Sequence, residues 1–366
     1  MGPWIAVAIL LITINVVLNC KSTLKRETKI AFYIITTIIL FLFLFFFRAF
    51  RSKNVGGDLE EYEMMFNYIC NWTLPQALTI SKGYEPGWVI LNKFLSLFSK
   101  DFQIVMIVVA LITTISFFWF SFRYSPDPYL TLFIYVTLGF WGSSFNNERQ
   151  ALAISILLFS VYYIQKRKFL RFLILVLLAT SIHLTSIVFL ITYFIYGYKY
   201  KKEYLFVSAI IGFTCFLFAE PLINFVIQLI PFYSRKYTAG EWESSGGFGY
   251  LLMLVLVCLV SLLLYPKKSN RKQDLFFYMI VVAAILQVFS LKMPFIQRLV
   301  KTFSIAMIIT VPYMISNCNP NSRLVAKTVV IVGLFAFYVV GLVNDTISLV
   351  PYETMFNPSI PEGGLQ

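Results

Sequence analysis

Apolar runs recur from one end of the chain to the other, most of them separated from the next by a short polar segment. They lie at roughly 3–19, 30–47, 102–122, 128–145, 149–165, 169–182, 184–198, 204–219, 248–265, 274–291, 299–315 and 324–344. Runs of this length and polarity predict helices that cross a bilayer. The expected fold is therefore all-α and polytopic, with about twelve transmembrane helices in a single transmembrane domain over residues 1–366. No hydrophilic stretch is long enough to form a separate soluble domain. The first run has no basic residues before it, so it reads as a retained span with its N-terminus outside rather than a cleaved signal.

Orientation follows from the basic clusters. Lys21/Lys25/Arg26/Lys29, Lys166/Arg167/Lys168, Lys199/Lys201/Lys202 and Lys267/Lys268/Arg271/Lys272 all fall between apolar runs and belong in the cytoplasm. One stretch decides the count. Between Lys168 and Lys199 the chain is mostly apolar, and as one helix it would measure about 45 Å, longer than the ~30 Å bilayer core. One crossing would also place the two basic clusters on opposite sides. A hairpin keeps both inside and makes Ser181-Ile182-His183-Leu184-Thr185 a polar tip at membrane depth.

Two longer segments remain outside. The first, 48–101, carries Gly56-Gly57-Asp58-Leu59-Glu60-Glu61-Tyr62 and then Tyr84-Glu85-Pro86-Gly87-Trp88. Its stretch from Trp88 to Phe98 is too short to span and predicts an interfacial helix with Pro86 near its first turn. The second, 220–247, ends in Gly240-Glu241-Trp242-Glu243-Ser244-Ser245-Gly246-Gly247, which reads as a lid or a solvated connector.

Composition sharpens this picture. The chain is 59% hydrophobic and 13% charged, too little charge to cover a soluble surface. The net charge of +13 resides mostly in the short inter-span clusters, which excludes a nucleic-acid groove. The acids divide unevenly. By this topology 13 of 17 lie outside, which points to the outer face as the site of chemistry. Of the five cysteines only Cys70 falls in an outer loop, so no disulfide framework is expected. One histidine in the whole chain excludes a His-rich metal site, and neither a metal nor another cofactor is expected.

Charges at membrane depth are the candidates for function. Arg149 follows Phe145-Asn146-Asn147-Glu148 in a tight outer hairpin and opens a helix, where a planar guanidinium suits an anion such as phosphate. Pairing with Glu148, or reaching to the interface, is its structural alternative. Arg298 opens a late span with Lys301 one turn on, and offers a second anion clamp or ordinary snorkelling. Arg48 and Arg51 lie outside against the basic-inside trend, where they can meet an anionic headgroup. His183, Glu85 and Asp58 are candidate proton acceptors; Asp58 can equally be a helix N-cap.

The order of these motifs carries a resemblance. Arg48/Arg51, Gly57-Asp58 with Tyr62, Glu85-Pro86-Gly87-Trp88, Asn147-Glu148-Arg149-Gln150-Ala151, Ala179-Thr180-Ser181-Ile182-His183, Arg298 and Pro351-Tyr352 follow one another along the chain. The pattern resembles the EpsG family of bacterial envelope polysaccharide proteins, which look like Wzy-type repeat-unit polymerases. The run Gly57-Asp58-Leu59 departs from the family's usual Gly-Thr/Ala-Asp-Tyr-like run.

The resemblance implies a metal-independent, inverting transferase of GT-C type in the bacterial cytoplasmic membrane, with its active site facing outside. Its substrate would be an oligosaccharide linked to undecaprenyl diphosphate, and a chain-length regulator is a conceivable partner. Arg149 and Arg298 would hold the donor diphosphate and Arg48 the acceptor's. His183, Glu85 or Asp58 would take the acceptor proton, with Tyr62, Trp88 and Trp242 against sugar. A lipid-linked oligosaccharide flippase and an O-antigen-ligase-like transferase are the alternatives. The flippase would normally show internal duplication and mid-membrane charges, neither of which is visible.

Overall fold

A computed structural model describes residues 1–20, 26–81, 83–218, 221, 247–266, 269–345 and 348–357. These residues form helices and connecting segments, with no strand among them. In the first half the helices are α1 (Gly2–Cys20), α2 (Arg26–Ala49), α3 (Leu59–Asn71), α4 (Leu74–Ile80), α5 (Pro86–Leu95), α6 (Gln103–Tyr124), α7 (Pro128–Thr137), α8 (Phe140–Asn146) and α9 (Glu148–Gln165). Then come α10 (Phe169–Ile182), a 3-10 stretch Leu184–Leu190, α11 (Ile191–Ile195), α12 (Lys202–Leu217) and α13 (Phe248–Leu264). The last are α14 (Arg271–Ser290), α15 (Gln297–Ser304), α16 (Met307–Ser316) and α17 (Pro320–Asn344).

Five helical stretches are long and apolar enough to cross a membrane: Glu27–Ala49, Gln103–Tyr124, Arg271–Ser290, Gln297–Ser316 and Pro320–Asn344. Five shorter apolar helices accompany them. This is a membrane protein. Ile34, Ile35 and Ile39 on α2 and Val325, Val329 and Val332 on α17 are all more than half exposed, as faces turned to lipid must be. The expected crossing at 128–145 is two helices rather than one. Gly139 interrupts it with φ +77°, a left-handed backbone that glycine adopts without strain. The loop expected at 220–247, with Trp242, lies almost wholly outside the described residues.

The chain divides into two compact units. The first comprises Met1–Tyr163, Leu170–Ile187 and Leu324–Gln366; the second comprises Ile164–Phe169 and Val188–Arg323. In the first unit, α2 packs on α6 and α1 on α7. At one end of this unit Trp4 donates to the Leu349 carbonyl at 2.9 Å, Tyr352 donates to that of Phe47 at 2.7 Å, and the Gly56 amide donates to that of Ser348 at 2.9 Å. All of these segments were assigned outside. Elsewhere Lys327 pairs with Asp127 at 2.6 Å, and both belong to segments assigned to the cytoplasm. Each of these contacts joins segments that the expected topology places on one side.

The second unit supplies a contact that agrees with the expected hairpin. Arg167, just before α10, donates to the carbonyls of Tyr193 (3.0 Å) and Tyr196, and Phe169 meets the Tyr193 ring edge-on at 5.0 Å. The chain that departs at Phe169 therefore returns to its starting level by Tyr196. Between them the α-helix breaks at His183, the expected tip. In a cysteine-free background, Lys168→Cys and Lys199→Cys should react with an impermeant maleimide from the same side of the membrane. Labelling from opposite sides would replace the hairpin by a single crossing.

Candidate functional site

Two neighbouring residues at the start of α9, Glu148 and Arg149, organise one end of the first unit. Successive residues on a helix point about 100° apart. Glu148 turns inward and is fully buried, while Arg149 turns toward the segment between α4 and α5. Glu148 receives Arg48 on one oxygen at 2.7 Å and Arg51 on the other at 2.5 Å. Both guanidiniums are buried too, and each is tied further into the backbone. Arg48 donates to the Ser144 carbonyl (2.9 Å) and to Thr113; Arg51 donates to the carbonyls of Arg48 (2.7 Å) and Phe145 (2.9 Å) and lies 4.8 Å from the Phe145 ring centre. Buried charges survive only when paired and hydrogen-bonded in this way. The triad joins the end of α2 to the turn between α8 and α9, a hundred residues on. Arg48, expected to grip an acceptor's diphosphate, is thus enclosed within the protein and bonded to Glu148.

Arg149 meets Glu85 at 2.6 Å, and both side chains are 18% exposed. Glu85 sits at the N-cap position of α5, directly before Pro86. An N-cap carboxylate usually accepts from the first amides of its own helix. Here it makes no such bond. One oxygen accepts from Arg149 and the other accepts from the Leu184 amide at 2.8 Å, with His183 Nδ1 3.7 Å away. His183 itself is buried. The approach of α5 to the tip depends on Gly87. A Cβ there would fall 2.3 Å from Ser181 Oγ and 2.6 Å from its carbonyl oxygen, so only glycine lets the two backbones come this close. Glu85-Pro86-Gly87 is therefore one device: a carboxylate, a helix start and a close contact.

Aromatic rings floor this cluster. The Arg149 guanidinium carbon lies 4.7 Å from the Tyr84 ring centre and 5.6 Å from that of Tyr62, within cation–π range. Tyr84 donates its hydroxyl to Glu61 at 2.6 Å. Burial raises both phenols above their ordinary range, and the bond to Glu61 adds to it at Tyr84, so both stay protonated at neutral pH.

Trp88, expected to face sugar, is instead fully buried under Tyr62, their ring centres 5.6 Å apart. It lies on the inward side of α5 and supports the site from below. Asp58 takes the N-cap position of α3 without a side-chain cap bond, and its amide donates to Asn146 at 2.6 Å. The first unit thus brings together Arg149, Glu85, His183 and Tyr62, with Asp58 on the helix that carries Tyr62. Arg298 is exposed on the first turn of α15, in the second unit.

Three participants were missed from sequence: Tyr84 as the ring beneath Arg149, Glu148 as the acid of the buried triad, and the Leu184 amide. Two outer arginines against the charge trend, and an acid in a very tight outer hairpin, were the available signals for the triad. A backbone amide leaves no signal in a sequence.

A family model described as the EpsG family matches residues 34–354, nearly the whole chain. No curated protein and no solved structure matches it.

Glu148→Ala would leave two buried guanidiniums without their acid. It should lower stability by about 3–5 kcal/mol, read as a fall in the melting temperature of the detergent-purified protein. An unchanged melting temperature would show that the triad does not hold α2 to α9.

Proposed function

The chain belongs to the EpsG family, and on that premise we propose that it is a polysaccharide polymerase that uses a lipid-linked donor. Membership supports a glycosyltransferase-like role in polysaccharide biosynthesis. The observation that carries the finer reading is the arrangement of Arg149, Glu85 and His183. A partly accessible guanidinium, a carboxylate and an imidazole converge at one end of a membrane-embedded unit. Glycosyl transfer from a diphosphate needs a cation for the leaving group and an acceptor for the hydroxyl proton, and this cluster holds both.

In this reading the donor is a glycan on polyprenyl diphosphate and the acceptor is a hydroxyl of an incoming lipid-linked repeat unit. The hydroxyl oxygen attacks the anomeric carbon from the face opposite the diphosphate. Glu85 takes the hydroxyl proton. The bond from the anomeric carbon to the diphosphate oxygen breaks, and the departing group keeps the electron pair. Arg149 stabilises the charge that develops there, an electrostatic contribution largest in the transition state. The planar guanidinium matches paired phosphate oxygens, and the Tyr62 and Tyr84 rings hold its orientation. Direct displacement inverts the anomeric configuration. Tyr62 and Asp58, at the start of α3, orient sugar. Arg48 and Arg51 serve by fixing Glu148. The site faces the non-cytoplasmic side of the bacterial cytoplasmic membrane, consistent with the basic clusters at the opposite helix ends.

Purified protein given synthetic lipid-diphosphate repeat units should produce a ladder of chain lengths on a gel. Arg149→Ala should slow the ladder by about 10²–10³-fold without loss of folded protein. A normal ladder from that variant would remove Arg149 from the mechanism. Unchanged starting material with the folded native protein would favour transport of the oligosaccharide over its polymerisation.

A further inference from the structure

The contacts of Glu85 have a property that its role as a base does not require. Two donors from separate parts of the chain meet one carboxylate, Arg149 Nη1 at 2.6 Å and the Leu184 amide at 2.8 Å, and His183 Nδ1 stands 3.7 Å from it. Arg149 comes from the first turn of α9, while His183 and Leu184 come from the break that follows α10. Glu85 comes from neither. A guanidinium, a main-chain amide and an imidazole around one point make a binding site for an oxyanion. A carboxylate and a phosphoryl group both offer paired oxygens to such donors.

We propose that Arg149, the Leu184 amide and His183 form a phosphoryl-binding subsite for which the Glu85 carboxylate and the substrate's diphosphate compete. This rests on the function proposed above and adds two binding groups to it, the Leu184 amide and His183. It also couples two events. A diphosphate carries more negative charge than one carboxylate, so it takes the donors when it arrives. Glu85 is then displaced. Its backbone stays in place through Pro86 and the Gly87–Ser181 contact, while its side chain, with no cap bond to α5, is free to turn toward the acceptor. A carboxylate parted from Arg149 and the Leu184 amide has both oxygens open to the acceptor hydroxyl. The base is thus made competent by donor binding, and an acceptor hydroxyl arriving alone meets a carboxylate still tied to Arg149. His183 acts here as a donor to phosphate and not as the base.

Inorganic pyrophosphate binding, measured by calorimetry on the full-length protein in detergent, tests this. The native protein should bind weakly. Glu85→Gln removes the competing charge and should bind about five- to tenfold more tightly, in keeping with the loss of one partly exposed ion pair. Adding Arg149→Ala or His183→Ala to Glu85→Gln should reverse that gain. Thermal melting of each variant confirms that the comparison is between folded proteins. Equal or weaker binding by folded Glu85→Gln, with binding still lost in Arg149→Ala, would overturn the competition and leave the proposed function standing. Equal binding by the native protein, Glu85→Gln and Arg149→Ala would overturn both.

Discussion

One buried carboxylate holds an end of the first unit together. Glu148 is reached by no water and is held from both sides by Arg48 and Arg51, which arrive from the end of α2. Two guanidiniums in an apolar interior are tolerable only with such a partner and with carbonyls for their remaining protons. Two such carbonyls are those of Ser144 and Phe145, in the last turn of α8, which leads into α9. The arrangement leaves this turn little freedom. Arg149, the next residue, inherits its direction from that constraint. A charge of one sign is buried so that its neighbour of the other sign faces outward in a fixed place.

The second constraint is the close contact of α5 with the hairpin tip. Gly87 against Ser181 brings Glu85 to His183 and Leu184, residues about a hundred positions later. Neither contact alone assembles the cluster. Glu148 sets the cation, Gly87 sets the carboxylate, and the helix break at His183 supplies an amide that an uninterrupted helix would keep for itself. Polar groups and irregular backbone at this depth would be costly without a partner. Here Glu85 is the partner of both Arg149 and the Leu184 amide.

The helices were legible because a bilayer imposes length and polarity on them. The hairpin at 169–198 followed from arithmetic on helix length and from the basic residues at its two ends, and Arg167 against Tyr193 and Tyr196 agrees with it. The break at Gly139 was not read, because its apolar flanks continue without a change in polarity. The order of Glu85, Arg149 and His183 was visible, but their partners were not. Arg48 and Glu148 are far apart along the chain, and hydropathy says nothing about which outer charges meet. Trp88 shows the same limit: an aromatic residue in an outer helix can face sugar or the interior, and only packing under Tyr62 decides it. The family match over residues 34–354 agrees with the resemblance seen in the motif order.

Under the proposed function Arg149 binds a lipid-borne diphosphate where Glu85 now meets it. Cryo-electron microscopy of the protein with a non-transferable lipid-diphosphate oligosaccharide tests this most directly. Phosphate density should lie within hydrogen-bonding distance of Arg149 and the Leu184 amide, with the Glu85 carboxylate moved toward the sugar. Density for the diphosphate elsewhere, with the Arg149–Glu85 pair intact, would contradict it.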